Sequence, residues 1–369
     1  MPTTKLKSEI KQACGEKLAA ELEALRKHRA DGGKAAGYMC HAFPTAVAAG
    51  LGLWPVRMLC GVSGAAESAG EQIVRADVCP LIKSMLGNAA EKNGLHAEID
   101  LWIGLYTCDQ MRRGLDSLAS DLGREVHPIQ LPATRTEEAA EYYAAQIRRF
   151  VADVEARHGL KFDEEKALRW QEECLRAGIL LGLAARSGNI APTDLHAVFH
   201  LYSTARPFGL ADFLEKTFSD SEAFEAGKKI ILAGSPLAAE DISILETLEE
   251  HGAHVIPLNC TGLNSVEEKT LLPTGGDTVR GLALGAFNLP PCARARPNAG
   301  VFERIGKELK SSGADGIIVK CLKFCDNWYT ERERLAAAFD VPVLVVDSAY
   351  SNGENERLEN RIEAFMETL

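Results

Sequence analysis

The sequence predicts an α/β fold: two Rossmann-like parallel-sheet domains joined by a helical region. Short apolar runs alternate with helical stretches, the pattern of βαβ units stacked into parallel sheets. That alternation occurs once in each half of the chain, with a long helical stretch between. At 369 residues the chain also exceeds what one core usually serves.

The segments follow in order. Residues 1–35, "MPTTKLKSEIKQACGEKLAAELEALRKHR" and its tail, read as a charged amphipathic helix without the apolar core of a secretory signal. Residues 36–134 form the first α/β domain. Its expected strands lie in "GYMCHAF" (37–43), "WPVRMLCG" (54–61), "LWIGLYT" (101–107) and "VHPIQLP" (126–132). "PLIKSMLGNAAEK" and "QMRRGLDSLASDLG" supply helices between them. Residues 135–225 form a bridging region in which two long stretches keep helical apolar spacing and each stop at Gly. Residues 226–369 repeat the plan with "KKIILAG" (228–234), "AHVIPLNC" (253–260), "DGIIVKCLKF" (315–324) and "VPVLVVDS" (341–348). "ERLENRIEAFMETL" closes the chain as a solvated helix with one buried face.

A net charge of −11 argues against nucleic acid, whose phosphates call for a basic face. No run approaches the roughly 18 apolar residues of a membrane helix, so a cytoplasmic protein is expected. "GGKAAG" (32–37) lacks the order of a phosphate loop, and "GLGLWP" (50–55) fails the dinucleotide fingerprint at its last Gly.

Ten cysteines call for an explanation. Disulfides are not expected in a reducing compartment. Cys14 and Cys174 lie in helical patterns and read as small hydrophobes, and Cys321 falls inside an apolar strand. Cys40, Cys60, Cys108 and Cys260 sit at or just past carboxyl ends of expected strands, and Cys325 follows the next by a few residues. Ligands of open α/β sheets bind beyond those ends, so distant cysteines would converge there. Cys79 reads as a helix start, with Asp77 as cap and Pro80 in the first turn, where the helix dipole favours a thiolate. Cys292 lies beside Arg294 and Arg296, which favours a thiolate too. Structural zinc prefers close cysteine pairs, and only Cys321 and Cys325 come near that spacing. Thiolates from distant loops suit an iron–sulfur cluster better; buried structural cysteines are the alternative. His41, beside Cys40, reads as a proton carrier or as a packing residue.

"FPTAVAAGLGLWPVRM" (43–58), "CPLIKSMLG" (79–87), "WIGLYTCDQMRRGLDSL" (102–118) and "GADGIIVKCLKFCDNWYTE" (313–331) carry a further signal. With the C-terminal "VPVLVVDSAYS…ENRIEAFMETL", they resemble the 2-hydroxyacyl-CoA dehydratase and benzoyl-CoA reductase family, D-subunit type, over nearly the whole chain from about residue 36. The resemblance implies a [4Fe–4S] cluster held between two α/β domains by Cys79, Cys108 and Cys325, with its fourth iron open to water or substrate. It implies one-electron ketyl-radical chemistry on an acyl-CoA thioester, or reduction of an aromatic one. The electron would come from a separate activator ATPase that carries its own cluster, and the subunit would pair as a homo- or heterodimer. The family also includes double-cubane proteins that reduce small molecules on an [8Fe–9S] cluster and need more thiols. Cys40, Cys60, Cys260 and Cys292 are the candidates here, although "CARARPN" has one cysteine where such proteins carry two. A non-catalytic module that carries a cluster or assists assembly is the third reading.

Overall fold

The structure is a computed structural model describing residues 8–266, 276–350 and 354–369. Helix α1 (Glu9–Ala30) opens the fold; residues 1–7 of the expected N-terminal helix lie outside the described residues. The first half then runs β1 (Lys34–Tyr38), α2 (Thr45–Gly50), β2 (Leu53–Arg57), α3 (Gly64–Gly70) and α4 (Pro80–Glu91). It closes with β3 (Leu101–Tyr106), α5 (Asp109–Ser120) and β4 (Glu125–Gln130). Four helices follow: α6 (Glu137–His158), α7 (Glu164–Ser187), α8 (Pro192–Thr204) and α9 (Leu210–Asp220). The second half begins with β5 (Lys229–Gly234), α10 (Ser243–Glu250), β6 (His254–Asn259), α11 (Thr278–Phe287) and α12 (Ala299–Ser312). It ends with β7 (Gly316–Leu322), α13 (Asp326–Tyr329), α14 (Arg332–Ala337), β8 (Val343–Ser348) and α15 (Glu354–Glu367).

Both sheets are four-stranded and parallel, and they wind identically: β2-β1-β3-β4 and β6-β5-β7-β8. In each, the chain steps outward from the first strand, then returns to its other side, so the switch point lies between β1 and β3 and between β5 and β7. Prolines obey the same plan. Pro55, Pro128 and Pro257 lie inside β2, β4 and β6, all edge strands, where a missing N–H breaks no inner ladder. The inner strands β1, β3, β5 and β7 contain none.

One expected strand is displaced. β1 runs from Lys34 to Tyr38, not through "GYMCHAF", because the small Ala35, Ala36 and Gly37 allow close packing. A Cβ on Gly37 would stand 3.0 Å from Ile99 and 3.1 Å from Met58. Met39–Phe43 thereby leave the sheet as a loop at its carboxyl end.

The bridging helices are tied to both halves. Ala167 and Trp170 of α7 pack in the core of the first sheet, while Ala177, Leu181 and Ala185 pack in that of the second. Thr136 and Asp163 cap α6 and α7 through side-chain oxygens, and Gly159 and Gly188 end them in left-handed geometry. Helix α15 buries Leu358, Ile362, Phe365 and Met366 along one stripe against the second sheet. Among the described residues no helix is long and apolar enough to cross a membrane.

A cysteine-lined cavity as the candidate functional site

The carboxyl ends of both sheets face one cavity of about 140 Å³ with a mostly apolar wall. Six cysteines line it: Cys40, Cys79, Cys108, Cys260, Cys292 and Cys325. Cys40 follows β1, Cys108 follows β3, Cys260 follows β6 and Cys325 follows β7, so both switch points open onto the same space. Cys60 does not line it. That thiol stands beside Glu240, whose carboxylate accepts from the Gly61 and Val62 N–H groups, and burial pushes it up to about 12. Cys321 and Cys14 are buried in the core. Cys174 departs from a purely core role: it is half-buried and lines a second cavity.

Cys79, Cys108 and Cys325 each occupy the cap position of a following helix. Cys79 itself, not Asp77, caps α4, with Pro80 at the first helical position. The Cys108 Sγ accepts from the Met111 N–H at 3.3 Å. Before Cys325, Phe324 adopts φ 62°, a conformation costing roughly 1–3 kcal/mol in a non-glycine residue. The helix start does favour the Cys79 thiolate, as expected, but burial outweighs it. Burial pushes its thiol up to about 12, with the Cys325 and Cys108 thiols adding to it, and the Ile82 and Leu81 N–H groups only partly oppose this. Cys40, Cys108 and Cys325 are likewise raised by burial first, and Cys260 is pushed up to about 12.

Gln110, which the sequence did not single out, joins the three segments. It lies two residues past Cys108, its Oε1 accepts the Cys79 N–H at 2.7 Å, and its Nε2 donates to the Phe324 carbonyl at 3.3 Å. Its position inside "CDQM" is the one hint the sequence offers. The Lys of "CPLIKS" serves packing: Lys83 is buried and ion-paired with Glu67 at 3.1 Å and Glu71 at 2.7 Å, locking α4 to α3. Lys320, in β7, is fully buried and paired with Asp241.

The two arginines expected to act on Cys292 differ. Arg294 reaches the cavity wall while donating to the Leu131 and Pro132 carbonyls at 3.2 and 2.9 Å. Arg296 turns back to the carbonyl of Ala295 at 2.8 Å and is absent from the wall. His41 stands between the cysteine cavity and its neighbour of about 90 Å³, which Tyr38, Arg57, Trp170 and Tyr202 also line. Desolvation, then the nearby Arg57, drive its pKa down to about 3, so it is neutral at physiological pH. Arg57 is buried; its Nε donates to the Met39 carbonyl at 3.0 Å, while Nη2 has no hydrogen-bond partner among the described residues.

The donor set suits a cluster better than one ion. Among the described residues no three of these thiols lie within the 4.8 Å span that a single metal would bridge; they ring a space instead. Soft thiols around a mostly apolar wall are a donor set that would fit an iron–sulfur cluster.

Residues 40–369 match the model of the family described as 2-hydroxyglutaryl-CoA dehydratase, D-component. Among curated proteins, the chain is 23% identical over 331 residues to YjiM of Escherichia coli (strain K12), which is named provisionally as a dehydratase subunit. That alignment covers 84% of this chain and 85% of the relative.

Proposed function

From the premise that the chain belongs to the 2-hydroxyglutaryl-CoA dehydratase D-component family and is a dehydratase-type subunit, we propose that it binds a [4Fe–4S] cluster through Cys79, Cys108 and Cys325 and acts on an acyl-CoA thioester. The observation that supports this reading is the gathering of thiols from both sheets around one mostly apolar cavity.

Such a cluster, when bound, supplies single low-potential electrons to a thioester, delivered to it by a separate activator ATPase with its own cluster. The chain's residues do the rest. The thiols of Cys79, Cys108 and Cys325 would hold the iron and release their protons in doing so, since burial otherwise keeps them neutral. Gln110 keeps the three ligand segments in register. The apolar wall excludes water, which strengthens every charge interaction inside. Arg57 lines the adjoining cavity and also acts on the Cys260 thiol, partly offsetting the rise that burial causes. Neutral His41, between the two spaces, could relay a proton only by taking one on one ring nitrogen as it gives one up from the other, because burial disfavours its charged form. The subunit would work as a homo- or heterodimer.

A specific observation supports a second reading. Cys40, Cys260 and Cys292 line the same cavity, and Cys292 lies close enough to raise the pKa of Cys40, Cys108, Cys260 and Cys325. Six thiols would suit a double-cubane [8Fe–9S] cluster and reduction of a smaller molecule. The test is iron and acid-labile sulfide per chain on anaerobically purified protein, with EPR of the reduced form. About four irons support the single cubane, and about eight the double cubane. Iron-free protein would overturn both readings and leave a non-catalytic module.

A further inference from the structure

We propose that Glu125, His127 and His158 form a binding site for a divalent transition metal, zinc by ligand type, at the edge of the first sheet. The site lies at the amino end of β4, opposite the end that faces the cysteines. Glu125 and His127 are two residues apart on one strand and so share a face. His158 is the last residue of α6 and lies against the same carboxylate. The ligand atoms of all three fall within 4.8 Å of one another.

The Glu125 Oε1 stands 2.9 Å from Nε2 of His127 and 2.9 Å from Nε2 of His158. Ligands on a tetrahedral zinc with bonds of about 2.0–2.1 Å are about 3.3 Å apart, so a shift of a few tenths of an ångström admits the ion. The surrounding residues already hold the ligands in place. His127 is 2% exposed, its Nδ1 lies 2.8 Å from Asp153, and that carboxylate is held at 2.8 Å by Arg157. Phe150 packs edge-on against the ring. If Nδ1–H donates to Asp153, the lone pair of Nε2 points at the Glu125 oxygen, two acceptors facing each other. A cation between them resolves that conflict, and the carboxylate–histidine–metal chain is a common supporting arrangement for zinc. The carboxyl end of α6 adds a favourable negative pole. Glu125 is partly exposed, which leaves a fourth position for water.

The test uses the full-length, cluster-loaded protein, equilibrated anaerobically with zinc ion and washed. Zinc is counted by mass spectrometry of the elements, and its ligands are read from zinc-edge X-ray absorption. Wild type is expected to hold one zinc in a nitrogen and oxygen shell, with a raised Tm. His158→Gln and Glu125→Gln, both at partly exposed positions, are expected to weaken zinc binding about 100-fold with iron content unchanged. Asp153→Asn is expected to weaken it about 10-fold. Equal zinc in wild type and all variants, or a shell of sulfur alone, would overturn the site and leave the two histidines as hydrogen-bond partners of the carboxylates.

Discussion

Cys79 shows two effects in competition: a helix start favours its thiolate, yet desolvation dominates and holds the thiol near 12. Burial raises Cys108 and Cys325 in the same direction, so iron binding would displace protons from these thiols. Replacing Cys79, Cys108 or Cys325 with Ser is expected to remove most cluster iron, whereas Cys60→Ser leaves it unchanged; iron analysis and visible absorbance of folded protein check this. The contrast could not be read from the chain. Cys60 follows β2 much as Cys40 follows β1, and only the turn at Gly61 and Glu240 sends its thiol elsewhere. Gln110→Ala is expected to keep the fold while increasing the rate of cluster loss on exposure to a chelator. The histidines set a pH dependence. His96 and His196 are buried and held at about 4, against 6.5 when free. Between those values the unfolded chain binds protons that the folded chain refuses. Their contribution to stability is thus present above about 6.5 and is lost as pH falls toward 4. Denaturation of the cluster-free chain is expected to lose about 1.4 kcal/mol per pH unit for each of them in that window.

At the level of elements, the strands, their alternation with helices and the glycine stops of α6 and α7 were legible because periodicity and capping are local. The strand order was not read from the sequence, although Pro55, Pro128 and Pro257 all fall on edge strands. The start of β1 was misread, since its small residues carry a weaker apolar signal than the loop after it. Contacts between elements were not legible at all. Helices α3 and α4 meet at Gly70 and Gly87: an added Cβ would stand 2.1 Å from the Lys83 carbonyl oxygen in one case and 2.2 Å from that of Ala66 in the other. α4 begins at Cys79, so this contact also aims a candidate ligand. Gly87→Ala is expected to destabilise the protein by about 2–4 kcal/mol, read by denaturant titration, and to lower iron content as α4 shifts.

For the whole molecule, the site exists only where both sheets present their carboxyl ends, with α7 seated in both cores. A cluster there ties the halves together, as any ligand that binds only the native state stabilises it. Removing iron is therefore expected to speed hydrogen exchange in both the β3–α5 and the β7–α13 connections. Faster exchange in one half alone would contradict a shared site.

The identical winding of the two sheets has a further consequence when the thiols are placed in order along each half. Cys60 and Cys260 follow the second strand of their halves, Cys79 and Cys292 lie in the connection before the third, and Cys108 and Cys325 follow the third. The last pair even share a short sequence, "CDQ" and "CDN", each at the start of a helix, though their backbone angles differ. The molecule thus repeats one winding twice, and its cavity is lined from the carboxyl ends of both repeats. Two thiols depart from that correspondence: Cys40 is matched by none after β5, and Cys60, unlike its counterpart Cys260, does not line the cavity.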